Sequence, residues 1–230
     1  MVNILKSLLE ILLPRYCKVC GRRLAVTEEH LCVNCLLSMP YYNNYKGGMN
    51  IPEELLFSVR TLVRAESMLT YDKESNYRKI LYHLKYYGHP EVATYLSRMA
   101  AYRLQESNFF DGIDYIIPVP LSKKKKKSRG YNQCSYIAKG ISDVTGIEIA
   151  DNIILRSVTN TQQAAKGKLQ RWENAEGIFQ VMHPELIENK HLLIVDDVMT
   201  TGSTLNSMMS VIEKSVPTVK QSVFTLALAK

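Results

Sequence analysis

The sequence predicts an α/β domain built on a mainly parallel sheet, with a small cysteine-rich module in front of it. Three observations lead there. Leu192 to Val195 are apolar without alternation, the pattern of a strand covered on both faces. Stretches with strand spacing and stretches with helix spacing alternate along most of the chain. Four of the five cysteines stand in two Cys-x-x-Cys pairs near the amino end.

In order along the chain, Ile4, Leu5, Leu8, Leu9 and Leu12 fall on one helical face, so an amphipathic helix is expected over 4–13. The stretch is too short to span a bilayer, and no run of about 18 apolar residues occurs anywhere. Its rival reading, a signal peptide, is opposed by Glu10 and by the lack of a small-residue cleavage site before Pro14 and Arg15. A cytoplasmic protein without a transmembrane segment is expected.

Cys17-Lys-Val-Cys20 and Cys32-Val-Asn-Cys35 follow. Each turn offers two thiolates, and two such turns surround one structural Zn2+ tetrahedrally, with Gly21 allowing the tight backbone turn. Disulfides suit an exported chain better. His30 stands close by, but the fourth ligand is already supplied by cysteine. A module this small gains its folding energy from the metal. Arg15, Lys18, Arg22 and Arg23 around the first pair leave a nucleic-acid contact open beside a structural role.

The module is expected to occupy residues 1–39, and the Asn- and Gly-rich stretch from Pro40 to Gly48 opens a connector over 40–65. The main domain is then expected over 66–230. It begins with a strand at Ser67–Tyr71 and a helix at Tyr77–Tyr86 on Ile80, Leu81 and Leu84. A second helix carries Val92, Tyr95, Leu96, Met99 and Ala100; a strand follows at Asp114–Val119, and a helix over 130–142. There Cys134 shares a face with Ile137, Ala138 and Ile141, which reads as a core thiol. A last strand is expected near Val223 to Ala229. With 46% hydrophobic residues the chain can pack such a core.

The chemistry concentrates after Val195. Asp196 and Asp197 end the buried run, Thr200-Thr201-Gly202-Ser203-Thr204 follow, and Leu205, Met208, Met209 and Ile212 restore helical spacing. Strand, hydroxyl-rich loop and helix start make an anion site, since free amides and the positive helix end favour a phosphate. Two carboxylates repel a phosphate, so they suit sugar hydroxyls or a cation. Phosphoribosyl pyrophosphate (PRPP) meets both demands. The balance of 29 basic against 22 acidic residues, net +7, favours anionic ligands or nucleic acid. Lys123 to Lys127 concentrate that charge, either as a solvated loop or as part of the site.

Asp196-Asp197-Val198-Met199-Thr200-Thr201-Gly202-Ser203-Thr204 closely resembles the PRPP signature of type I phosphoribosyltransferases. Ile116 to Ser122, Arg129-Gly-Tyr-Asn-Gln133, Arg156 with Gln163, Arg171-Trp-Glu-Asn174 and Leu84-Lys-Tyr-Tyr-Gly88 occur in the order of the ComF-type family. That family joins an amidophosphoribosyltransferase-like domain to a four-cysteine zinc module.

The resemblance implies a type I phosphoribosyltransferase fold, with Thr200 to Thr204 on the 5′-phosphate and Asp196 and Asp197 on the ribose hydroxyls. Val119, Pro120, Leu121, Ser122 and Lys123 would lie on the pyrophosphate side. Lys123, Lys124 or Arg129 would neutralise the leaving group with Mg2+, so that Asp196, Asp197 and Arg129 form the expected catalytic set. Residues 157–176, with Gln162, Gln163, Lys166, Lys168 and Arg171, resemble a loop that closes over substrate; an ordinary hairpin loop is the plainer reading.

Within this chain no glutaminase region precedes the domain, so ammonia release from glutamine is not expected. The resemblance further implies a role in natural competence, with single-stranded DNA and the competence machinery as partners. Arg171-Trp172 or Tyr131 would be candidates for stacking on bases. A metabolic transferase joining phosphoribose to an unidentified nitrogen acceptor is the alternative. A base-salvage enzyme fits less well, because no base-recognition hood is evident. Catalysis and ligand binding alone are both consistent with the loop.

Overall fold

The computed structural model describes residues 13–42, 50–156 and 178–229. The helix expected over 4–13, apart from Leu13, and the expected closing loop with Gln163, Lys166, Lys168 and Arg171 lie outside the described residues.

A five-stranded parallel sheet organises the domain, in the order β1 (Leu62–Tyr71), β7 (Lys220–Ala229), β6 (His191–Met199), β2 (Tyr115–Pro118), β3 (Glu148–Ile149). The register explains the unbroken apolar run in β6. Leu193 and Val195 join one buried cluster, Leu192 and Ile194 the other, so the usual alternation of a strand is present but both faces are dry. β4 (Ile154–Arg156) and β5 (Phe179–Val181) pair antiparallel beside the sheet, flanking the segment expected to close over ligand.

On one face pack α3 (Arg78–Lys85), α4 (Glu91–Gln105) and α6 (Gln133–Thr145). Their apolar positions are those the spacing indicated: Ile80, Leu81 and Leu84, then Val92 and Leu96, then Ile137, Ala138 and Ile141. At Gly140 the closeness of α4 and α6 excludes any side chain, since a Cβ there would stand 2.4 Å from Thr94 O. The other face is covered by α7 (Ser203–Ser215), through Leu205, Met208, Met209 and Ile212.

The cysteine module is not a separate body. Cys17, Val19, Leu24, Leu31 and Cys32 belong to the same apolar cluster as Ile80, Leu84 and Phe224. The short α1 (Val33–Leu37) carries Cys35 into it.

Two elements differ from the sequence expectation. β1 starts at Leu62, and α2 (Ile51–Leu56) packs on the sheet through Leu56, so the domain takes in part of the stretch expected to be connector. The reason is local: Asn50 caps α2 by accepting from Glu53 N at 2.8 Å and also donates to Ala65 O of β1 at 2.7 Å. The lysine run is likewise no loop. It forms α5 (Lys123–Arg129), because Ser122 caps its start and Gly130, at φ +82°, ends it. None of its residues is buried, which leaves the like charges solvated.

Candidate functional site

β2 leads through α5 and α6 to β3, while β6 leads through α7 to β7 on the other side. The two crossovers part between β2 and β6, the position where open α/β sheets bind ligands beyond their carboxyl ends. Asp196 and Asp197 stand there, near the end of β6.

After β6, the chain turns through Thr200 and Thr201 to Gly202, whose φ of +71° lets the backbone swing directly into α7. The first amides of α7 lack intrahelical partners and carry the positive end of the helix dipole. Asp196, Val198, Met199, Thr200, Gly202, Ser203, Thr204 and Leu205 line a small, open cleft. The loop is braced from behind by α2: Asn206 Nδ2 donates to Leu55 O at 2.7 Å.

The two acids differ. Asp196 Oδ1 accepts from its neighbour's backbone amide at 2.8 Å and from the buried Cys134 thiol at 3.3 Å. Burial, then the charge of Asp197, push the Asp196 carboxyl up to about 7. Asp197 is buried and forms an ion pair with Lys85, Nζ to Oδ2 at 2.9 Å. Burial and the two acids raise the Cys134 thiol well above its ordinary value, so it stays a protonated donor.

Across the crevice, Val119 follows β2, its amide donating to Val195 O at 3.0 Å. Asn132 Nδ2 donates to Val119 O at 3.1 Å and ties the start of α6 back to this turn. Pro120, Leu121 and Ser122 are half-buried, and Lys123 is exposed at the start of α5. The Ser122 hydroxyl is engaged as the helix cap. Arg129 donates to Gln133 Oε1 and lies over the Tyr86 ring at 5.9 Å. Thus the acids, the α7 loop and the Val119–Lys123 turn all lie at the carboxyl end of the central strands β2 and β6.

Sequence reasoning missed two residues of this site. Cys134 does sit in the core, and its thiol also reaches Asp196. Lys85 belonged to a recognised segment, Leu84 to Gly88, yet only the fold shows that its ammonium reaches Asp197.

In the cysteine module the Sγ atoms of Cys17, Cys20, Cys32 and Cys35 lie within 4.8 Å of one another, a group able to hold a metal ion. Cys20 and Cys32 sulfurs are 3.7 Å apart, close to the roughly 3.8 Å edge of a tetrahedron with metal–sulfur bonds of about 2.3 Å. The Cys32 amide donates to Cys17 Sγ at 3.4 Å, the outer hydrogen bond that thiolate ligands favour. Gly21, at φ +75°, closes the first turn. His30 stays outside this group, edge-on to Tyr95 at 5.4 Å.

Residues 132–228, from the start of α6 through β7, match the family described as the phosphoribosyl transferase domain. The parallel sheet and the acid-tipped loop lie within and around this stretch, which is similar to a phosphoribosyl transferase domain. Its relatives narrow the class. The chain is 29% identical over 194 residues to DNA utilization protein YhgH of Escherichia coli O157:H7, covering 82% of this chain and 74% of that one. Competence protein F of Haemophilus influenzae is 35% identical over 101 residues, 43% of this chain and 44% of that one. Competence protein ComFC of Bacillus subtilis is 30% identical over 91 residues, 40% and 35% respectively. In sequence the chain is similar to these three proteins. Among the described residues no helix is long and apolar enough to cross a membrane.

Proposed function

We propose that the protein binds PRPP with Mg2+ in the crevice between β2 and β6 and serves the handling of single-stranded DNA in natural transformation, in the cytoplasm. The observation that carries the ligand is the joining of an acid pair to a glycine-turned helix start at the sheet's switch point. The amides and hydroxyls of Thr200–Thr204 hold the 5′-phosphate. The acids accept from the ribose hydroxyls. Pyrophosphate lies along Val119–Lys123 with Arg129 beside it, and Mg2+ travels with the pyrophosphate oxygens. Gln163, Lys166, Lys168 and Arg171 close over the bound ligand. Zinc occupies the four-cysteine site. The names of the relatives, a DNA utilization protein and two competence proteins, support the DNA role.

Calorimetric titration with PRPP and Mg2+ tests the ligand. Binding that is lost in Asp197→Ala supports the reading, and silence of the native protein defeats it. Salt-sensitive retardation of single-stranded oligonucleotides tests the DNA role.

The complete acid-and-loop site favours a second reading, a transferase acting on a small nitrogen acceptor. There the acceptor nitrogen forms a bond to C1′ as the bond from C1′ to pyrophosphate breaks, and the nitrogen then sheds a proton. Pyrophosphate release with a panel of amines and bases separates this from binding alone.

A further inference from the structure

We propose that Lys85 is a positioning residue of the sugar end, holding one oxygen of Asp197 so that the acid pair offers one oxygen from each carboxylate to a cis-diol. This rests on the reading of the crevice as a PRPP site.

The geometry is specific. Asp196 Oδ1 is taken by the Asp197 amide and the Cys134 thiol, while Asp197 Oδ2, buried and without a hydrogen bond among the described residues, is held by the charge of Lys85 Nζ at 2.9 Å. Among the described residues, Asp196 Oδ2 and Asp197 Oδ1 have no hydrogen-bond partner. The two open acceptors lie on adjacent residues near the carboxyl end of β6, where a ribose would bring a hydroxyl to each and a 2-deoxyribose to only one. Asp197 and Lys85 side chains are 8% and 26% exposed, so the pair lies largely out of water. A buried carboxylate stripped of its cation is costly, and it recovers by rotating or by taking up a proton. Either response removes an acceptor from the sugar. Among the described residues Lys85 is the only cation in an ion pair with either acid.

Lys85 is also held from behind. It is the last residue of α3, whose Leu84 is fully buried and whose Leu84 carbonyl accepts from Tyr131 OH at 2.7 Å. Tyr86, next in the chain, lies against Arg129. The pyrophosphate-side segment Arg129–Tyr131 therefore fixes the residue that fixes the sugar-side acid.

The test compares native protein with Lys85→Met, Lys85→Gln and Lys85→Arg, titrated with PRPP, ribose 5-phosphate, 2-deoxyribose 5-phosphate and inorganic phosphate, thermal melting serving as the check on folding. The native protein is expected to prefer ribose 5-phosphate to its 2-deoxy analogue by about tenfold or more, the worth of a charge-assisted hydrogen bond. Lys85→Met and Lys85→Gln lose that preference and weaken PRPP by about tenfold, inorganic phosphate changes little, and Lys85→Arg restores most of the difference. If a folded Met or Gln variant keeps both PRPP affinity and the ribose preference, Lys85 has no positioning role although the PRPP reading stands. If the native protein binds neither PRPP nor ribose 5-phosphate, both readings fall together.

Discussion

The Cys134 thiol donates to Asp196 Oδ1 across 3.3 Å, which places a helix-start core residue in direct contact with the acid at the ligand edge. Cys134→Ala removes the donor and leaves a small void, at a cost of about 1–2 kcal/mol in stability. PRPP affinity falls severalfold because Asp196 is then oriented by one amide alone. Cys134→Ser keeps a donor and is expected to retain more affinity than the alanine variant. Chemical denaturation and calorimetry on the two variants side by side check this ordering.

Asp196 gives the ligand-free protein a distinctive pH dependence. Its carboxyl is raised to about 7 by burial and by Asp197, against about 3.9 for an unfolded chain. Between these values the folded state keeps a proton that the unfolded state releases. The group's contribution is therefore full below pH ~4 and is lost as pH rises through about 7. Asp196→Asn abolishes that slope and raises ligand-free stability at pH 8 by about 1–2 kcal/mol, while weakening PRPP by about tenfold or more. Thermal melts of both proteins from pH 4 to 8 measure it, and equal slopes would falsify the assignment.

Gly202→Ala tests the turn into α7. The new side chain meets an unfavourable positive φ, and its Cβ stands 3.2 Å from Leu55 O and 3.3 Å from Asn206 Nδ2. A loss of about 1–2 kcal/mol is expected, with PRPP and inorganic phosphate both weakened because the loop amides shift. Intact phosphate affinity in the variant would show that the cradle does not depend on this turn.

Metal removal is expected to destabilise the entire chain, not the front alone. Elemental analysis should find one zinc per chain. Chelation should cost about 4 kcal/mol relative to protein with free metal near a thousandfold its Kd. Because the cysteines share a core with α3 and the sheet, melting followed at both ends should show a single transition shifted downward. Two separate transitions would indicate an independent module.

Much of this architecture was legible where a local rule and a tertiary demand agree. Leu192 to Val195 announced a doubly covered strand, and the Asp pair, Gly202 and the apolar spacing from Leu205 to Ile212 placed the loop and helix after it. The two cysteine pairs come together as their spacing implied, with the Cys20 and Cys32 sulfurs 3.7 Å apart. The lysine run was ambiguous because five like charges oppose a helix while Ser122 and Gly130 cap one, and the caps prevail when the side chains stay in water. Asn50 escaped notice because its second partner, Ala65 O, belongs to another element. Lys85 and Cys134 escaped for the same reason: an ordinary residue on an amphipathic helix acquires its task only from what the fold lays beside it.

The helix α3 has a mechanical consequence. Near its start, Tyr77 OH donates to Cys35 O at 2.7 Å and Lys79 Nζ to Val19 O at 3.1 Å; its final residue grips Asp197. Eight residues make a rod about 12 Å long, too short to bend appreciably. A rod fixed at one end to the cysteine cluster and at the other to Asp197 works as a splint between them. The cysteine cluster and Asp197 are in this way tied to the two ends of one short helix, so a displacement at either end is carried to the other.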